Sequence, residues 1–529
     1  MNPNAENNRF TEQERPEQDS LPSNGDTGKD SPSAERRIPN KWDRIFFLLS
    51  AVCGFFLFDF AFGGRFAVGV TVYFFALFLV TGIYLFPWQG GAFPKLCGVL
   101  GIFLSFGFAF SADNTVAFFS FIGVELLYLL FAGGISGNLD HGTDTLAVLR
   151  DTTRIFFSES VSEAGVVFRG ISGNHDGGKL LRNLLKIVLG IIFAFPVLVI
   201  VLPLLISADG AFAVMLDRLP NVQIGRTTGN LVAALLLTPF TAGMLFSLKY
   251  RKKKPTAKSS DFRPSRGLDP VVISGFLGVL SACYLLYLFS QLGYFFSAFG
   301  GEIPESIRSA SSYARRGFGE MCAISAINLL AIFITVSTMR RETKAAKVAG
   351  AMACFISVFS LILIATALSK MLLYIRFYGM SDLRILTSVF MVVLALCFVL
   401  TILKIFRPRL AYLRVLVLFC ACVLILVSYI DIGAFTADYN VNAYLDEEYA
   451  WHLDTVDVHY LYDIGLQSAP ALLRLYREAE DSSVRTDAKQ ALDSLAEYSD
   501  YADEVSDWRT FRVSRARGCQ ALDAFLKEK

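Results

Sequence analysis

Charge is scarce in this chain: 49 Lys and Arg and 47 Asp and Glu make up 18% of 529 residues, where soluble domains average about a quarter. A net charge of +2 gives no reason to expect a nucleic-acid partner. Histidine is rarer still, at four residues. His452 and His459 in "WHLDTVDVHY" share roughly one helix face, but no HExxH or comparable ligand spacing accompanies them, so solvated surface is expected. His141 and His175 stand apart. No GxSxG occurs, and no Ser/His/Asp arrangement reads as a nucleophilic triad. CxxC is missing too. Cys53, Cys97, Cys283, Cys322, Cys354, Cys397, Cys420 and Cys422 sit in apolar stretches, where free Cys acts as a small hydrophobe, and Cys519 is alone in the tail. "GNHDGGKL" (173–180) satisfies G-x-x-x-x-G-K, yet Leu180 stands where a phosphate loop needs Ser or Thr. No catalytic, metal or cofactor-binding residue is therefore assigned.

What is abundant is apolar. Hydrophobic residues make up 54% of the chain, 48 of them Phe. "IFFLLSAVCGFFLFDFAF", "VLGIIFAFPVLVIVLPLLIS" and "LRVLVLFCACVLILVSYI" approach or exceed the roughly 20 residues that carry a helix across a bilayer. Only helices or closed barrels satisfy their backbone in lipid, and these runs lack barrel alternation. The fold class is all-α: a polytopic transmembrane bundle of about eleven spans. They are expected near 45–63, 66–86, 96–111, 115–132, 183–207, 229–248, 271–297, 318–337, 349–372, 383–405 and 411–430.

Basic segments orient the bundle. "RRIPNKWDR", "KYRKKKPTAK", "RRETKAAK" and "KIFRPRLAYLR" all fall on one side of an alternating thread, which predicts a cytoplasmic amino terminus. An odd span count then places residues 431–529 outside, as a small helical domain. Residues 1–40 read as a polar, disordered cytoplasmic tail rather than a leader. Residues 41–132 hold the first four spans and 183–430 the other seven. Between them, 133–182 reads as an amphipathic cytoplasmic segment packed on the bundle.

Charges inside spans cost several kcal/mol unless paired. Asp59 in "FLFDFAF" is expected near the outer boundary, with Arg65 or the pair Arg315–Arg316 as its counter-ion. Glu125 in "GVELLYLL" is expected ~10 Å above the inner boundary, in reach of Lys186. The two acids are too far apart in depth for a catalytic pair. Pro196, Pro203 and Pro239 are expected to kink spans five and six.

Arg315 and Arg316 in "SYARRGFGE" fall on the outer side, against the positional bias, and call for acids such as Glu320, Glu302 or Glu305. A second outer loop, "YIRFYGMSDLR", supplies Arg376, Asp382 and Arg384. Both loops are expected to dock on the tail, which begins "DIGAFTADYNVNAYL".

"YARRGFGE", "ADYNVNAYL" with Tyr439 and Asn440, "VDVHYLYDIGLQSAPAL" and "DWRTFRVSRARG" with Trp508 and Arg509 resemble, in that order, a family of bacterial multi-span membrane proteins. That family is known only as a domain of unknown function, the four-one-seven-three group. The resemblance implies an integral envelope protein and no activity. It also leads one to expect A-R-Y-N where this chain has Ala437-Asp438-Tyr439-Asn440. Three functions follow: a non-enzymatic scaffold or sensor with a docked outer domain, a transporter or flippase using Asp59 and Glu125, and a membrane enzyme on a lipid-linked substrate. Expected partners are membrane lipid and, through the tail, another envelope protein.

Overall fold

The computed structural model describes residues 39–62, 66–110, 113–139, 145–167, 226–250, 269–300, 318–338, 343–407, 409–449, 451–497 and 508–528, with a few single positions between 187 and 205. Asn40 opens the first helix with a reciprocal cap. Its side chain accepts from the Asp43 amide at 2.8 Å while its own amide donates to the Asp43 carboxylate at 3.0 Å. Helix α1 (Lys41–Leu57) then runs on into a π turn, Phe58–Phe62. Helices α2 (Val68–Tyr84), α3 (Ala92–Phe106) and α4 (Asn114–Ile135) follow. In lipid the hydrophobic effect does not drive helices together, so small residues and close packing must. Gly98 of α3 shows this: a Cβ there would lie 2.6 Å from the Phe131 ring of α4.

The segment after α4 forms α5 (Thr145–Thr153), a π turn Arg154–Glu159 and a last turn to Ser162. Ile155 and Val166 are fully buried in the core shared with the first four helices. Next comes α6 (Arg226–Tyr250), which approaches so closely that a Cβ on Gly243 would lie 2.7 Å from the Glu163 backbone. Helix α6 runs through Pro239 as one helix, so the proline does not end it.

A second apolar core joins α7 (Pro270–Gly300), α8 (Phe318–Thr338), α9 (Lys344–Tyr378) and α10 (Asp382–Phe406) around Leu277, Ile332, Ile356 and Phe398. Polar groups within it pair with one another across the helices. The Tyr284 hydroxyl donates to Asn328 at 2.6 Å and the Asn328 amide to Ser360 at 2.9 Å. Helix α11 (Tyr412–Tyr429) packs on α3 and α4.

Among the described residues, seven helices are long and apolar enough to cross a membrane, and two shorter apolar ones lie at Val68–Tyr84 and Ala323–Thr335. Every expected span except the fifth coincides with a described helix; 183–207 lies almost wholly outside the described residues. Helix α9 has 35 residues, about 52 Å at 1.5 Å per residue, against a hydrocarbon core of about 30 Å. It therefore projects beyond the apolar layer.

The tail is a helical cluster: α12 (Ile432–Leu445), α13 (Val458–Ile464), α14 (Ala469–Glu478), α15 (Ser482–Glu497) and α16 (Val513–Glu528). Leu461, Leu472, Leu475, Leu492, Leu522 and Phe525 form its own core, while Ile432 at the start of α12 packs with Val116 of α4 and Val427 of α11. Periodic leucines on amphipathic helices place it in water rather than lipid.

Candidate functional site

Where the tail meets the bundle, two polar contacts are described beside the apolar packing of Ile432 on Val116 and Val427. The first is built on the π turn after α1. A π turn inserts an extra residue and re-aims a side chain, and here it presents Asp59 at the helix end. One carboxylate oxygen accepts from Arg509 Nη1 at 2.9 Å and the other from Asn230 Nδ2 of α6 at 3.2 Å. The Arg509 side chain is 38% exposed and that of Asp59 16%, so the pair is partly shielded from water. Beside it the Trp508 ring meets Phe60 edge-on at 5.9 Å, and the Val68 amide donates to the Phe511 carbonyl at 3.4 Å. The described basic partner of Asp59 is Arg509, from the tail; the expected partners Arg65, Arg315 and Arg316 lie outside the described residues.

The second contact is on the loop between α9 and α10. Gly379 has φ +72° and ψ −173°, a region essentially reserved for glycine. A Cβ there would lie 2.5 Å from Asn440 Oδ1. With none, Asn440 of α12 reaches Met380 and pairs with its backbone reciprocally: the Met380 amide donates to Oδ1 at 2.7 Å, and Nδ2 donates to the carbonyl at 3.0 Å. Asp382 accepts from the Thr436 hydroxyl at 3.0 Å, while its amide donates to the Tyr460 hydroxyl at 3.2 Å. Arg384 donates to the carbonyls of Tyr378 and Gly379 and lies 4.0 Å above the Tyr374 ring. It fastens the end of α9 instead of gripping a tail carboxylate.

Asp431 caps α12 by accepting from the Ala434 amide at 3.2 Å. Burial, with the neighbouring Asp382 carboxylate, pushes it up to about 6 against the opposing pull of the Ala434 amide, Arg517 and Ser514. Tyr460 is pushed up to about 12, chiefly by burial. The Asp438 carboxyl is raised by burial and opposed by Arg474. Tyr439 stacks edge-on with Tyr449 at 5.7 Å.

The other sequence candidates lie elsewhere. Arg376 is exposed. Glu320 is in the first turn of α8. Glu125 is half-buried on α4, and Lys186 lies outside the described residues, as do "GNHDGGKL", His141 and His175. His452 reaches the Asp446 carbonyl at 3.2 Å, and exposed His459 stands 4.0 Å from Asp463. Among the described residues no cluster of three or more His, Cys, Asp or Glu converges on a metal-sized site.

At the opposite end of the bundle, sequence reasoning passed over Asp43. It is 1% exposed and accepts from the Tyr84 hydroxyl at 2.9 Å and the Tyr250 hydroxyl at 3.1 Å, with Lys249 Nζ at 3.8 Å. The Asn-x-x-Asp spacing of its cap was the available signal.

The pattern that defines a family described as "Domain of unknown function (DUF4153)" matches residues 75–475. It spans most of the bundle and half of the tail. The kind of family that the motifs suggested is upheld, and its number is corrected from four-one-seven-three to four-one-five-three. No curated protein and no solved structure matches the chain.

Proposed function

This chain belongs to the DUF4153 family, and we propose that it is a non-enzymatic scaffold or sensor whose helical tail is held on one end of the membrane bundle. The observation that carries this is the Arg509–Asp59 ion pair, which joins residues 450 positions apart at 2.9 Å. It consumes the carboxylate that a transporter would need for an ion relay. The reciprocal Asn440–Met380 contact adds a second, uncharged attachment. Two polar contacts with separate chemistry suit a docked unit that can be released.

The basic residues Arg44, Lys249, Lys344 and Arg414 begin or end their helices at the end away from the tail. On the positive-inside rule this supports a tail outside the cytoplasm. A reporter fused after Lys529 should be active only outside the cytosol.

Distance measurement between spin labels on Lys489 of α15 and Asn114 of α4 tests the docking. A single narrow distribution is expected, broadened by Arg509→Glu and untouched by Glu125→Gln. A distribution that is broad from the outset, or indifferent to Arg509→Glu, refutes the scaffold reading. Solute flux that depends on Glu125 would favour transport.

A further inference from the structure

An apolar groove of about 480 Å³ opens between α2 and α3, within the range of small-ligand sites. One wall is a stripe on α2, Phe75, Leu79 and Ile83, at the i, i+4, i+8 spacing that keeps one helix face. The other is Gly98, Val99 and Ile102 of α3, and Phe131 of α4 lies at the base. Trp88 closes one end. Its indole N–H donates to the Gly82 carbonyl at 2.7 Å and its ring meets Phe131 edge-on at 6.3 Å, so this wall is fixed before anything enters. Lys95, exposed in the first turn of α3, is the one charged residue among the described residues that line the groove.

Dimensions and charge together name the occupant. From Phe75 to Ile83 the α2 wall covers eight residues, about 12 Å along the axis. One leaflet of hydrocarbon is about 15 Å, half of about 30 Å. The groove thus runs from the level of Lys95 and Trp88 most of the way to the bilayer midplane. Trp and Lys are the side chains that settle at the headgroup level, the one by its amphipathic ring and the other by reaching up from an apolar stem. A soluble ligand would leave polar groups unpaired against these walls; a hydrocarbon chain would not.

We propose that this groove binds one acyl chain of an anionic phospholipid, with the headgroup phosphate at the Lys95 ammonium. The walls give the affinity, and Lys95 gives the preference for negative charge. This site is independent of the tail contacts and lies at the other end of the bundle, beside the basic helix ends.

The test uses the full chain in detergent, titrated with phosphatidylglycerol, phosphatidylcholine or inorganic phosphate, with retention read by native mass spectrometry. One phosphatidylglycerol should be retained saturably, phosphatidylcholine roughly fivefold more weakly, and phosphate alone not at all. Lys95→Glu should erase the preference between the lipids. Val99→Trp, which fills the groove from an exposed position, should lose both. Non-saturable retention, or retention indifferent to both changes, overturns the proposal, as does a photo-crosslink from position 99 to a second copy of the chain. A second readout needs no groove-filling variant. A trace of phosphatidylglycerol brominated on its acyl chains, in phosphatidylcholine bilayers, should quench Trp88 fluorescence more than equally brominated phosphatidylcholine does. The Trp88 signal is taken as the difference from Trp88→Phe. Equal quenching by the two lipids also overturns it.

Discussion

If Arg509 holds the tail through Asp59, neutralising both residues should cost less than the two single neutralisations added together. Two unit charges 4 Å apart interact with about 4 kcal/mol at an effective dielectric of 20. Arg509 is 38% exposed, so solvent screens part of that energy, and the Asp59 side chain, at 16%, has already lost most of its own hydration. A coupling of about 1–2 kcal/mol remains, between the values for exposed and buried pairs. Arg509→Gln removes the cation beside Asp59, the less exposed member of the pair, and should be the more damaging single change. Asp59→Asn keeps a polar partner for Arg509 and should be milder. The Trp508 ring sits on Phe60, so acrylamide quenching of Trp508, taken as the difference from Trp508→Phe, reports release of this segment in nanodiscs. Additive effects of the two substitutions within about 0.3 kcal/mol would refute the clamp.

Asn440→Ala removes both bonds to Met380 and should weaken tail attachment by about 1–3 kcal/mol, seen as faster amide exchange in α12. Gly379→Ala should cost more than about 2 kcal/mol, from a backbone conformation hostile to a Cβ and the approach of Asn440; in an Asn440→Ala background the cost should fall to the backbone part and the contact with Leu453. Asp431 binds its proton more tightly in the folded chain, at about 6, than an unfolded aspartate does at about 3.9. Its contribution to tail stability is therefore greatest at low pH and declines by on the order of 2 kcal/mol as pH rises from about 4 to about 6. Asp431→Asn, which still caps α12, should flatten that decline in a pH series of urea titrations. At the other end, Asp43→Ala strips two tyrosine hydroxyls and the Asn40 amide of their acceptor and should lower the thermal midpoint sharply, with Asp43→Asn intermediate.

The sequence by itself determined the medium and the class of structure. Unbroken apolar runs leave helices as the only way to satisfy a backbone in lipid, and the lengths of those runs located nearly every described span. Leucine periodicity likewise announced the tail cluster around Leu472 and Leu492. Asp59, Trp508, Arg509, Asp382 and Asn440 were legible as candidates, because charges in spans and polar motifs beside them are conspicuous. Their pairing was not. Asp59 and Arg509 are 450 residues apart, and an ion pair is set by where the helix ends meet, which periodicity along one helix does not encode. The groove beside Gly98 is of the same kind. Glycine on an apolar helix reads the same whether a neighbouring ring fills the gap or leaves a channel, and only the packing of α2, α3 and α4 decides which.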